Sequence, residues 1–164
     1  MNAELQPIET AWNRLTELVN QVEAAGGLSR AGADGWTVKD HLAHVAAWEH
    51  SLLALIEGHD RERAMGLSGS VEGIDNVNEA IRKLHETDTP GEALAYFRDS
   101  HARLVAALEK LSDADLQEPY SHFQPKDPDE KRPVVGWVAG NTYEHYAEHI
   151  DWIDQLLSES SAAR

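Results

Sequence analysis

The chain contains no cysteine. A disulfide, a thiolate metal ligand and a cysteine nucleophile are therefore all excluded. Basic residues are scarce: 14 Lys and Arg stand against 29 Asp and Glu, a formal net charge of −15. Nucleic-acid binding needs clustered cations to meet phosphates, and docking on an anionic membrane surface needs the same, so neither is expected as a partner. No apolar run approaches the ~20 residues of a membrane span. No segment carries a strand pattern. Met1 to Ile8 hold no basic stretch followed by an apolar run, so no secretion signal is read and the cytoplasm is the expected location.

What is present is a chain of 164 residues, 41% of them hydrophobic, enough for one domain with a substantial core. That domain is expected over 1–157, with a frayed tail over 158–164. Leu5, Ile8, Trp12, Leu15, Val19 and Val22 recur at three and four, which predicts a long amphipathic helix ending before Gly26-Gly27. Trp36-Thr37-Val38-Lys39-Asp40 opens a second helix, with Thr37 as N-cap and Asp40 as its capping-box partner, and Gly58 stops it. Residues 58–72 read as a loop, followed by a short helix over Ile74, Val77, Ile81 and Leu84. Thr89-Pro90-Gly91-Glu92 starts a third long helix whose seam is Leu94, Phe97, His101, Leu104, Leu108 and Leu111. Pro119 to Pro133 holds four prolines and is read as a long surface loop with no helix in it. A last helix begins near Val135 or Gly136. The fold class is all-α: a four-helix bundle with one short extra helix and a long Pro-rich loop.

The last helix carries His145 and His149. Four residues turn a helix by about 400°, so the two rings stand one turn apart on one face. Their seam is Val138, Thr142, His145, His149, Trp152 and Leu156, which is also the seam expected to face the core. A buried polar ring without a partner costs about 1–3 kcal/mol, so these histidines need either hydrogen bonds or a metal. The order is not His-Glu-x-x-His, and a zinc-protease mechanism is not supported. In the second helix, His41, His44, Trp48, Leu52 and Leu55 share one face. His44 lies mid-helix among apolar residues; His41, nearer the end, reads as a rim residue facing solvent. His50 and His59 are given no role. His101 is read first as a core residue, then as a partner of a ligand, and last as a ligand itself. In a four-helix bundle, metal sites are built from inward side chains of facing helices, so His44, His145 and His149 can form a three-nitrogen set. Three protein ligands leave an open position, which suits catalysis. Without cysteine the ion could be zinc, nickel, manganese or iron.

The run Trp36-Thr37-Val38-Lys39-Asp40-His41-Leu42-Ala43-His44, then Trp48-Glu49, and the later His145-x-x-x-His149 resemble the DinB-like superfamily. That group includes YfiT-type metal-dependent hydrolases, bacillithiol- and mycothiol-dependent transferases, and ClbS/DfsB-type four-helix proteins. The resemblance implies a divalent metal, zinc or nickel, held by His44, His145 and His149. It also implies a small-molecule substrate, with a low-molecular-weight thiol as a further partner; a homodimer is one oligomeric state open to it. The mycothiol-dependent isomerase branch uses a Glu among its ligands, for which Glu144 and Glu148 are the positions here. The ClbS-type ring-opening hydrolases lack the triad, which separates this chain from them. Two functions follow. One is a hydrolase or thiol transferase acting on a compact electrophile, with Glu49 as general base or ligand orienter and Tyr143 and Tyr146 flanking His145. The other is a non-catalytic binding or self-resistance protein. Trp48 and Trp152 are expected to enclose the pocket, with 58–88 or Pro119–Pro133 as its lid.

Overall fold

A computed structural model describes residues 2–162, with side chains through Ser158. Among the described residues the long helices are α1 (Leu5–Ala24), α2 (Val38–Glu57), α5 (Pro90–Leu108) and α9 (Tyr143–Ala162). Between them lie α3 (Arg61–Ala64), α4 (Ile74–His85), α6 (Asp113–Leu116), α7 (Tyr120–Phe123) and α8 (Val135–Asn141). There is no strand among these residues, only two isolated bridges, Ala31 to Thr37 and Pro119 to Pro133. None of these helices is long and apolar enough to cross a membrane.

α2 is the central element. It packs against α5, α4, α3, α8 and α9, while α1 lies along α9. Being covered on most sides explains its composition: Leu42, Ala43, Val45, Ala46, Ala47, Leu52 and Leu55 are all buried, well beyond one apolar stripe. Its start is fixed by the expected capping box, with the Thr37 side chain accepting from Asp40 N and the Asp40 carboxylate accepting from Thr37 N at 2.9 Å. Gly58 ends it at φ 72°, a left-handed position that only glycine takes without strain. The Thr89–Glu92 box starts α5 in the same way. On α1, Ile8, Leu15, Val19 and Val22 are buried as the spacing predicts.

Three expectations change. The Pro119–Pro133 stretch is not free of helix: Pro119 is an N-cap, a position proline tolerates, and one turn forms over Tyr120–Phe123. That turn delivers Gln124, whose Nε2 donates to the carbonyls of Ala54, Leu55 and His59 and so closes the end of α2. Residues 58–72 also contain a turn of helix, α3, capped by Asp60. The last helix is two helices. Thr142 sits at φ −126°, ψ −107°, and its hydroxyl donates back to Val138 O at 2.6 Å, breaking the run between α8 and α9. α9 runs through Ala162; residues 163 and 164 lie outside the described part. The segment 61–85 forms its own small core on α2, with Met65, Val77 and Ile81 packed against Ala47 and Trp48.

Candidate metal centre

α2 and α9 face each other, and their histidines meet. His44 Nε2 lies 3.1 Å from His145 Nε2, and His149 Nε2 lies 3.0 Å from the same atom. The ligand atoms of the three rings all fall within 4.8 Å of one another. His44 and His149 are buried and His145 is half-buried. Three neutral rings cannot satisfy this arrangement by hydrogen bonds alone. His44 Nδ1 and His145 Nδ1 are buried without a partner. Any assignment of one proton per ring either strands one of those Nδ1–H groups or sets two N–H groups against each other. Nitrogen ligands at about 2.0–2.1 Å in a tetrahedron sit about 3.3–3.4 Å apart, close to the separations here. The donor set therefore fits a divalent ion.

The electrostatics agree. Burial, then the His145 and His41 rings, pushes His44 down from 6.5 to about 3. Burial, then His41, pushes His145 down to about 4. His149 is held well below its ordinary value by burial and by the rings of His145, His44 and His41. All three are neutral at neutral pH and keep the lone pair a metal needs.

His41 does not sit on the solvent rim as expected. It is buried, because one turn of helix sets it beside His44, and its Nδ1 lies 3.0 Å from His149 Nδ1. Were all three Nε2 lone pairs turned to one ion, His149 Nδ1 would carry the proton and donate it to His41, which would then fix the tautomer and ring angle of His149. A histidine three residues before His44, on the same helix, was the available signal.

Glu49 does not reach the cluster. Five residues from His44 is about 500°, which places it about 140° around α2. It is fully buried and accepts from the hydroxyls of Ser100 and Tyr146, with His101 Nδ1 at 3.2 Å. His101 also lies 3.2 Å from the Tyr146 hydroxyl and stacks on Trp12 at 3.6 Å between ring centroids. His101 therefore stays out of the histidine cluster and leaves it three-membered. Tyr143 packs half-buried against the core, and Glu144 and Glu148 are exposed.

Two cavities flank the cluster. The smaller, about 300 Å³, is lined by His41, His44 and His149 together with Trp36, Asn78 and Trp152. The larger, about 810 Å³, is lined by His44 and His145 with Trp48, Arg61, Trp137 and Glu148. Trp152 is 47% exposed and so is not a core residue; it lines both cavities. The 58–88 segment supplies Arg61, Ile74 and Asn78, and the Pro-rich stretch supplies Arg132 and Pro133, so both line the larger cavity.

A family model described as the DinB superfamily matches residues 8–153, which takes in α2 and α5 whole, most of α1, the first half of α9 and all three converging histidines. Neither the curated proteins nor the solved structures contain a match.

Proposed function

The chain belongs to the DinB superfamily, and from that membership and the histidine geometry we propose a metal-dependent enzyme acting on a small electrophilic compound. The reaction is hydrolysis or transfer of a low-molecular-weight thiol, with zinc or nickel held by His44, His145 and His149. The observation that carries this reading is the convergence of three neutral Nε2 atoms, two of the contacts at 3.0 and 3.1 Å. A divalent ion held there supplies a Lewis acid that lowers the pKa of water or a thiol and polarises an electrophile.

The chain's own residues supply the rest. Three protein ligands would leave a position on the ion free for water, thiol or substrate. His41 orients His149. Asn78 borders both cavities, and its Oδ1 accepts from Trp48 Nε1 at 3.1 Å, so its amide N–H groups remain for a substrate oxygen. Glu148 lines the larger cavity beside His145 and is the carboxylate within that space able to take a proton. Trp36 and Trp152 give the smaller cavity an apolar wall beside the histidines. Cavities of this size take compact molecules and exclude polymers.

One observation favours a second reading, a binding or self-resistance protein without catalysis: the buried carboxylate, Glu49, is engaged away from the cluster. The test is elemental analysis of untagged protein, followed by a screen of the metal-loaded form with epoxides, maleyl-type acids and activated esters, with and without thiols. Turnover that disappears in the His44→Ala/His149→Ala double variant supports the enzyme. Turnover that survives it ends the metal reading, and a silent screen with stoichiometric binding favours the second.

A further inference from the structure

The larger cavity has a second polar end. Besides His44 and His145 it is lined by Arg61, the first residue of α3, whose partner Ser51 lies two helical turns, about 10 Å, along α2 from His44. The Arg61 guanidinium is held by neutral partners: Nε donates to Ser51 Oγ at 3.0 Å, and Nη1 lies 3.4 Å from the Tyr120 hydroxyl. Ser51 is fully buried on α2 and Tyr120 is buried on α7, so the head group is fixed from two directions. The described residues give it no carboxylate partner. Arg132, on the same cavity, differs: its guanidinium pairs with Glu130 and lies over the Trp137 ring at 4.8 Å. Arg132 is already neutralised and contributes wall; Arg61 brings an uncompensated charge.

In a chain of net charge −15 a half-buried arginine without an acid partner needs a reason. Other carboxylates are near: Glu148 lines the same cavity, and Asp127, Asp129 and Glu130 line the adjoining one with Arg61. None is paired with it. A guanidinium presents a planar fork that matches a carboxylate in two-point contact. Trp48 and Trp137 line the same cavity, and Trp48 lies on α2 between His44 and Ser51, the partner of Arg61.

We infer that the larger cavity binds a small molecule bearing a carboxylate, with the carboxylate on Arg61 and an apolar body along the tryptophans, so that its far end reaches the histidine cluster. The inference rests on the proposed metal site for what happens at that far end, and on Arg61 alone for the anchoring. Arg61 is a specificity-determining residue in this scheme.

The experiment is calorimetric titration of metal-loaded full-length protein with a graded panel of alkyl and aryl carboxylates, from propionate to 3-phenylpropionate, and their matched primary amides. At least one acid is expected to bind about tenfold or more tightly than its amide, the scale of a charge-assisted contact. Arg61→Gln is expected to remove that preference while elemental analysis still finds the metal. Arg61→Lys keeps the charge without the fork and is expected to weaken the acids several-fold and leave the amides unchanged, which serves if Arg61→Gln unfolds. No acid preferred over its amide in the wild type overturns the inference. A preference that survives Arg61→Gln also overturns it, because the carboxylate then sits on the ion. A wild type that holds no metal but keeps an Arg61-dependent preference sinks the metal reading and leaves this one standing.

Discussion

Two polar clusters draw on α2 and α9, the first taking Ser100 and His101 from α5 as well, and they are built differently. Glu49, Ser100, His101 and Tyr146 close on themselves: the carboxylate accepts two hydroxyls, and one imidazole nitrogen bridges it to the phenol. His44, His145 and His149 do not close. Their Nε2 atoms crowd together, two of their Nδ1 atoms have no partner, and cavities open on either side. A polar group taken out of water must recover its hydrogen bonds or cost stability. The first cluster recovers them within the protein and so holds the bundle together. The second does not: an ion held by the three Nε2 atoms would relieve their crowding, but it would put the protons of His44 and His145 on Nδ1 atoms that have no partner among the described residues. Saturation, more than residue type, separates the two clusters.

The largest effects should come from breaking each cluster in turn. Replacing His44, His145 or His149 by Ala should abolish stoichiometric metal binding, read by elemental analysis of dialysed protein; a variant that keeps its metal removes that residue from the site. The fold should tolerate these changes, because they remove poorly satisfied groups. Glu49→Ala should do the reverse. It strands two hydroxyls and one imidazole nitrogen in the core, and breaking a buried network of this kind costs about 3–5 kcal/mol. Urea unfolding measures the loss. If Glu49→Ala is neutral for stability but removes the metal, the contrast between the clusters is wrong.

Acid should separate the clusters next. In the unfolded chain the histidines protonate near 6.5, whereas in the fold His44 stays neutral to about 3 and His145 to about 4. Between those limits the unfolded state binds more protons, so folding stability rises with pH across the window. Chelator-treated protein should therefore hold its full stability above about pH 6.5 and lose it steadily as pH falls toward about 4. Denaturation midpoints across that range provide the check. Replacing all three histidines by Ala should flatten the slope, and an equally steep slope in that variant would assign the acid sensitivity elsewhere.

Much of this was legible in the sequence, for physical reasons. The helix starts at Thr37 and Thr89 are local chemistry, a side chain bonding a backbone three residues on, and both formed as read. The pairing of His44 with His145 and His149 followed from helical spacing and bundle geometry. What escaped depends on tertiary contacts. The break at Thr142 comes from a hydroxyl turning back on Val138, which an apolar seam running through Val138, Thr142 and His145 conceals. Glu49 looked like a neighbour of the ligand because five residues is a short distance along the chain, but it is a large rotation around a helix. His41 looked peripheral because it is near the start of α2; the loop 25–36 and the α9 residues His149 and Trp152 cover it. Arg61 carried no signal at all, since its meaning lies in which partners it lacks.

The smallest expected effect concerns His41, and it tests whether the open cluster has an organised surround. His41 and His149 meet through their Nδ1 atoms at 3.0 Å, and only one of the two can donate. If His149 turns its Nε2 lone pair to an ion, its proton lies on Nδ1 and His41 must accept it. Removing such a partner typically weakens metal binding about 10- to 100-fold, which is about 1.4–2.8 kcal/mol. His41→Ala should therefore lower metal affinity in a competition titration with a chromophoric chelator while stoichiometry at saturation is unchanged. His41→Asn, which offers an amide oxygen as acceptor, should recover part of the loss. A purely packing role predicts no such recovery, because Asn fills the site less well than His. Equal weakening in both variants would mean that His149 is oriented by the helix alone, and that the cluster draws nothing from the ring beside it.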